Sequence, residues 1–88
     1  MKVVYKYTLK INEPTKLEIP KDSEILCFKI QNEVPCVWIL IDLEEPKKWL
    51  EWFIIKGTGH EIENDLKLKY IGTDFSEGSF VWHCFQIL

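Results

Sequence analysis

Apolar and polar residues alternate along much of this chain. In the segment KVVYKYTLKI (residues 2–11), every second residue from Val3 to Ile11 is apolar, and the positions between them carry lysine or threonine, with Val4 as the exception. Side chains of a β-strand alternate between the two faces of its sheet. The segment is therefore predicted to be a half-buried strand with a solvated lysine face. KLEI at residues 16–19 repeats the pattern.

Two apolar segments, EILCFKIQ and PCVWILIDL, predict a β-hairpin around the sequence NEVP. Asn32 tolerates the left-handed conformation that a tight turn needs, whereas Glu33 is a weaker turn residue than glycine, so a longer loop stays open. If Asn32 and Glu33 form the turn, the register pairs Phe28 with Val37 and Cys27 with Trp38. Residues 36–41 are apolar on both faces, which predicts a central strand.

Residues 45–55 allow two interpretations. Glu44, Glu45 and Pro46 resemble a helix start, but the Trp, Phe and Ile residues that follow favour a strand. Further strands are predicted at 65–75, in the segments DLKLKY and YIGTDF, and at 79–88, with the turn SEG between them. The sequence predicts one all-β domain over residues 1–88, a compact antiparallel β-sandwich or partly closed barrel of about six to seven short strands.

The chain is rich in apolar residues for its length. Of its 88 residues, 47% are hydrophobic and 14% aromatic. A domain of this size buries a modest share of its surface. We therefore expect both a core dense with aromatic rings and coverage of part of the apolar surface by another copy of the chain or a different partner. Coverage by another copy predicts a homo-oligomer.

Charge and segment composition narrow the classes of function. The net charge is −3, and all 11 basic residues are lysine. Arginine is the residue that clamps phosphate or guanine in a bidentate manner, so nucleic-acid binding is not expected. No apolar run is long enough to span a bilayer, and the N-terminus lacks the apolar core of a signal peptide. We expect no membrane association and a cytoplasmic location.

The segment KGTGH, residues 56–60, is the main candidate loop. Its glycines could cradle a phosphate, with Lys56 and His60 as contacts and Thr58 between the glycines, although a lone GxG is a weak signal. Three carboxylates follow within five residues and would repel an anion. The favoured interpretation is a loop between two strands in which Gly57 and Gly59 permit positive φ.

Neither a metal site nor a catalytic site is predicted. Cys27, Cys36 and Cys84 are scattered, and His83 beside Cys84 would point to the opposite face of a strand. No nucleophile motif is present. We expect no cofactor and no enzymatic activity.

Tryptophan is abundant, with four residues in the chain. Trp38 and Trp82 are predicted to lie in the core. Trp49 and Trp52 flank an acidic residue near a polar turn, and one of them is predicted to be an exposed anchor for a partner.

The segments VVYKYTL, ILCFKIQNEVPCVWILID, IKGTGHEI, DLKLKYIGT and GSFVWHCFQ resemble a family of small phage-encoded proteins. The pattern GTGH…YIGT…VWH is the most specific part of the resemblance, which covers nearly the whole chain. This sequence departs from the family at Asn32-Glu33, where an asparagine-glycine turn is common in the family. The family has no established activity. The positions that match the shared motif are Gly57, Gly59, His60, Gly72, Trp82 and His83.

These observations lead to the hypothesis of a non-enzymatic, phage-derived binding protein that inhibits a host defence system. In one version an aromatic patch and a sheet edge dock on a host protein. In the other, the KGTGH loop and an aromatic wall hold a signalling nucleotide between subunits. The alternative is a structural or accessory phage protein of the virion or its assembly.

Overall fold

The computed structural model describes residues 1–88 as seven β-strands in two antiparallel sheets, with no helix. Sheet A has the order β1-β4-β3 and sheet B the order β2-β5-β7-β6. The sheets pack face to face and do not close into a barrel, so the predicted sandwich is confirmed. The strands are β1 (Lys2–Thr8), β2 (Thr15–Pro20), β3 (Glu24–Gln31), β4 (Val34–Asp42), β5 (Lys48–Gly57), β6 (Leu68–Phe75) and β7 (Val81–Ile87).

The predicted hairpin and its register are confirmed between β3 and β4. Phe28 pairs with Val37, and both turn residues are left-handed, with φ of 51° at Asn32 and 63° at Glu33. Cys27 pairs with Trp38, as the two-residue turn requires. The carboxylate of Glu33 accepts hydrogen bonds from the N–H of Glu77, 3.2 Å from each oxygen. This contact helps to hold a glutamate where glycine is usual.

Residues 48–57 form a strand, so the strand interpretation of this segment is confirmed and the helix interpretation is wrong. β5 pairs with β2 on one side and with β7 on the other. Its central position in sheet B explains why its aromatic and β-branched residues decide the local structure, whereas the helix-start signal at Glu44–Pro46 is left in the preceding turn.

The core lies between the two sheets. β4 contributes Val37 and Ile39, and β5 contributes Phe53 and Ile55; all four side chains are fully buried. β4 is central in sheet A, as predicted. Its other face is not covered by a layer of protein, and Trp38 on that face is half-buried instead of lying in the core. Trp82 is also half-buried, and it packs against the core from one end.

The face of β1 that was predicted to be buried is covered unevenly. Val3 and Tyr7 pack against the core and Leu9 is buried, but Tyr5 is 48% exposed and Ile11 is 36% exposed. β1 is an edge strand of the smaller, three-stranded sheet. Alternation assigns a side chain to a face, but it does not ensure that the facing sheet reaches that position.

The two sheets come closest where β3 approaches β6. The backbone N–H of Ile30 donates a hydrogen bond to Asp74 Oδ2 at 2.8 Å, which links an edge strand of sheet A to an edge strand of sheet B. Gly72 lies at this approach, where an added Cβ atom would be 3.4 Å from the Cβ of Phe28, an ordinary van der Waals contact. This side of the sandwich is therefore held by a side chain that replaces a missing strand partner.

Residues 58–67 connect β5 to β6, two parallel strands that lie on either side of β7. The connection must run back along the length of sheet B and cross β7. Since the inner face of sheet B packs against sheet A, the crossing lies on the outer face. Ile54, which is 6% exposed, pairs with Phe85 on that outer face and is not part of the central core.

The chain contains no helix that is long and apolar enough to cross a lipid bilayer.

Candidate functional site

The GTGH segment forms a tight turn at the end of β5. The N–H of His60 donates to the carbonyl oxygen of Gly57 at 3.0 Å, and Gly59 has a φ of +87°. A four-residue turn with glycine third and left-handed is a common geometry that side chains with a Cβ atom disfavour. Gly57 does not have a positive φ. An added Cβ atom there would lie 2.9 Å from the ring of His60, the far end of an exposed side chain, so the ring would have to shift.

The imidazole of His60 folds back onto the turn. Its Nδ1 accepts a hydrogen bond from the N–H of Gly57 at 3.2 Å, which leaves the ring proton of a neutral imidazole on Nε2. The ring also meets Trp82 edge to face, with 6.0 Å between centroids. His60 therefore caps the end of the strand and packs on an aromatic residue that borders the core.

The turn has few free groups for a phosphate. The N–H of Gly57 is bound to His60, the N–H of Thr58 donates to Val81 O at 3.2 Å, and the N–H of His60 is bound within the turn. Lys56 pairs with His83 on the outer face of sheet B, whereas Gly57 and its partner Trp82 face inward. The structure does not bring Lys56 and His60 together on one surface.

Alanine at Gly59 is expected to lower the free energy of unfolding by about 1 kcal/mol, because a side chain disfavours the left-handed conformation. Chemical denaturation measures the change. Glu61→Ala is the control, since Glu61 is an exposed residue of the same connection and should change stability by less than about 0.5 kcal/mol. Equal stability of Gly59→Ala and the wild type would show that the turn does not need glycine.

His83 lies at the centre of a hydrogen-bonded chain on the outer face of sheet B. Its Nε2 is 2.8 Å from Thr58 Oγ1, and its Nδ1 is 2.9 Å from Thr73 Oγ1. Thr73 Oγ1 is in turn 2.7 Å from the hydroxyl of Tyr70. The chain joins the GTGH turn to β6 and β7, but no carboxylate completes it, so it lacks the acid that orients the histidine of a catalytic triad.

The thiol nearest to His83 in sequence is not available to it. Cys84 points inward and is fully buried, and burial raises the pKa of its thiol to about 12. A thiol with so high a pKa is a poor nucleophile at neutral pH. No three histidine, cysteine, aspartate or glutamate residues are grouped as a metal site would need.

Trp49 and Trp52 are both exposed, by 42% and 43%, but they lie on opposite faces of β5. Trp52 is on the outer face of sheet B, beside Leu50 and under the ammonium of Lys16, which lies 5.8 Å from the ring centroid. Trp49 is on the inner face and lines an opening between the sheets. The two tryptophans therefore belong to two different surfaces.

Trp49 borders a cleft of about 530 Å³ between the sheets. The cleft lies where β2 ends and β3 begins, and the two β-bulges of the protein both open onto it. The bulges place Leu26 and Ile71 as extra residues in β3 and β6. Bulges often occur beside functional sites, where they redirect a strand.

Polar side chains at inward-facing positions hold this cleft open. In β5, Glu51 stands between Trp49 and the buried Phe53 on the inner face, and its Oε2 accepts a hydrogen bond from Gln86 Nε2. Lys69 of β6 is the cross-strand partner of Gln86 and also lines the cleft. The sheets cannot close over charged groups without a large desolvation penalty, so they stay apart at this end.

Residues 1–87 match a family described as a domain of unknown function (DUF7352). The chain belongs to this family. No curated protein and no solved structure matches it. The resemblance to an uncharacterised family is confirmed in this form, while the phage origin and the shared motif pattern stay predictions.

Three polar residues that line the cleft of this DUF7352 domain were not predicted as site residues from the sequence. Glu51, Lys69 and Gln86 come from three strands and carry no common motif. The one sequence signal for the cleft was Glu51. It is a charged residue in an apolar strand, on the same face as Trp49 and Phe53. Without the register of β5, β6 and β7, that signal could not be distinguished from an exposed polar position.

Proposed function

We propose that this DUF7352 domain is a non-enzymatic binding protein that attaches to a host protein through the outer face of sheet B. The supporting observation is the distribution of apolar residues. Fourteen large hydrophobic residues are exposed, against eleven buried hydrophobic ones. Single exposed apolar residues are ordinary, but contiguous apolar surface usually marks a site of interaction.

The outer face of sheet B carries a contiguous row of apolar residues. Trp52, Ile87 and Leu68 are cross-strand neighbours on β5, β7 and β6. Leu50, 58% exposed, and Tyr70, 59% exposed, extend the row along β5 and β6. We call these five residues the outer patch. Tryptophan and tyrosine contribute much of the binding energy of interfaces because they bury a large area while losing few rotamers.

A host protein fits this surface better than a signalling nucleotide does. Three of the four backbone N–H groups of the GTGH turn are bound within the protein, and Lys56 and His60 face different surfaces. The chain lacks arginine and has a net charge of −3. A nucleotide held at this turn would meet few donors and several carboxylates.

The biological setting of the proposal depends on the resemblance to phage proteins. We propose that the domain is of phage origin, acts in the host cytoplasm and inhibits a host defence system, and that copies of it assemble as a homo-oligomer. The competing proposal is a virion or assembly component. Both are binding functions, and they differ in the identity of the partner.

Trp52→Ala is expected to weaken partner binding by about 30-fold or more, the effect of losing an interface residue worth ~2 kcal/mol. The measurement is cross-linking and affinity capture from host lysate, followed by titration of the captured protein against the wild type and each variant. Tyr5→Ala is the control, because Tyr5 is exposed to a similar degree but lies on sheet A. It should bind like the wild type.

Three results would contradict the proposal. Unchanged binding by Trp52→Ala would show that the outer patch is not the interface. Recovery of virion proteins alone would favour the structural alternative. A rise in melting temperature with a cyclic nucleotide that is lost in His60→Ala would restore the nucleotide version.

A further inference from the structure

The cleft between the sheets is a built feature of the fold. Its volume of about 530 Å³ lies within the range of ordinary small-molecule sites. It is bordered by two β-bulges and by polar residues at inward positions of β5, β6 and β7. A sandwich of this size would be more stable if apolar residues at these positions closed the gap.

The charges that line the cleft favour a cation. Asp22, Glu24 and Glu51 contribute carboxylates, and Lys69 contributes the one ammonium group. None of them takes part in an ion pair, since the salt bridges of the protein involve the N-terminus and Lys10. A cation that enters the cleft would meet an excess of negative charge in surroundings partly removed from water, where the attraction is stronger than in bulk solvent.

Glu51 is the carboxylate best placed to bind it. The residue is half-buried on the inner face of sheet B, and the amide of Gln86 holds one of its two oxygens. A carboxylate has acceptor sites for several donors, so the group retains capacity for an ammonium N–H. Gln86 acts as a positioning residue that orients the carboxylate toward the cleft.

The remaining walls suit an apolar body. Ile19, Ile25 and Ile71 line the cleft together with the indole of Trp49. Trp49 is 42% exposed although it lies on the inner face, so its ring remains accessible from the opening. The face of an indole attracts an ammonium group electrostatically and also packs against alkyl carbon.

We infer that this cleft binds a small organic cation, a protonated amine with a short apolar chain. The ammonium group contacts Glu51 and Trp49, and the chain lies against the isoleucines. The cleft and the outer patch open on opposite sides of sheet B, where Trp49 and Trp52 lie, and Tyr70 of the outer patch borders both. The inference therefore does not depend on the proposed partner.

Titration of ¹⁵N-labelled protein with three probes of equal chain length tests the inference by NMR. The probes are n-pentylamine, which is protonated at neutral pH, 1-pentanol and pentanoate. Pentylamine is expected to shift the indole signal of Trp49 and the amide signals of residues 22–26, and to bind on the order of tenfold more tightly than pentanol. Pentanoate should bind most weakly.

Two variants assign the effect to the cleft. Glu51→Gln keeps an acceptor for Gln86 and should remove the tenfold preference for pentylamine over pentanol. Glu61→Gln removes the same charge from an exposed position outside the cleft and should preserve that preference. Four results would each overturn the inference. The wild type could bind amine and alcohol equally, bind pentanoate more tightly, show shifts only on another surface, or bind none of the probes.

Discussion

Phe53→Ala is expected to lower the free energy of unfolding by about 3–5 kcal/mol, the usual effect of removing a buried phenyl ring. Phe53 is fully buried at the centre of β5, between β2 and β7, and it belongs to the cluster that joins both sheets. Domains of this size are stabilised by only about 5–15 kcal/mol in total. The substitution should therefore remove a large part of the stability.

Urea unfolding followed by tryptophan fluorescence measures this change. Phe75→Ala is the matched control, because it removes the same side chain from a position that is 67% exposed. Its free energy of unfolding should stay within about 0.5 kcal/mol of the wild type. A similar loss in both variants would show that the core does not lie where the two sheets face each other.

Asp74→Ala is expected to lower the free energy of unfolding by about 1–3 kcal/mol. The carboxylate accepts the N–H of Ile30 at 2.8 Å and so connects the edges of the two sheets. Alanine would leave that part-buried N–H without a protein partner. Hydrogen bonds to a charged acceptor contribute more than neutral ones, which sets the upper part of the range.

The same contact predicts a dependence on pH. Hydrogen bonds from the N–H groups of Ile30 and Phe75 lower the pKa of Asp74. Because the folded pKa lies below the unfolded one, the contribution is present above the unfolded pKa of about 4 and is lost as the pH falls through the folded value.

Melting temperatures measured from neutral to acidic pH test this dependence. Asp74→Asn keeps an acceptor oxygen but cannot titrate, so its melting temperature should fall less steeply in acid than that of the wild type. Parallel curves for the two proteins would show that Asp74 does not contribute to acid sensitivity.

The strands of this domain could be predicted because their information is local. Alternation along β1 and the apolar residues of β4 and β5 specify extended chain, and the two-residue turn at Asn32-Glu33 sets the register of β3 against β4. The accessibility of each face could not be predicted. Tyr5 and Trp49 both point toward the inside of the sandwich and are nevertheless exposed, because the opposite sheet does not cover them.

The candidate surfaces also combine features that local sequence predicts with features that depend on the tertiary structure. The glycines of GTGH indicated a turn, and Trp52 was among the predicted exposed anchors, since both depend on short-range sequence. Two sets of contacts join residues at least ten positions apart in the sequence. His83 hydrogen-bonds with Thr58 and Thr73, and Glu51 hydrogen-bonds with Gln86. Such contacts depend on the strand order of sheet B, in which β7 lies between β5 and β6.

By itself, the sequence determined an all-β chain with short strands, a defined hairpin and an excess of apolar residues over what its core can enclose. These follow from a side-chain period of two and from turn residues, which act over a few positions. The tertiary structure alone decided which tryptophan lines the cleft and which belongs to the outer patch. It also decided that polar residues from three strands meet between the sheets. Strand order and bulges set these positions, because they depend on contacts between distant parts of the chain.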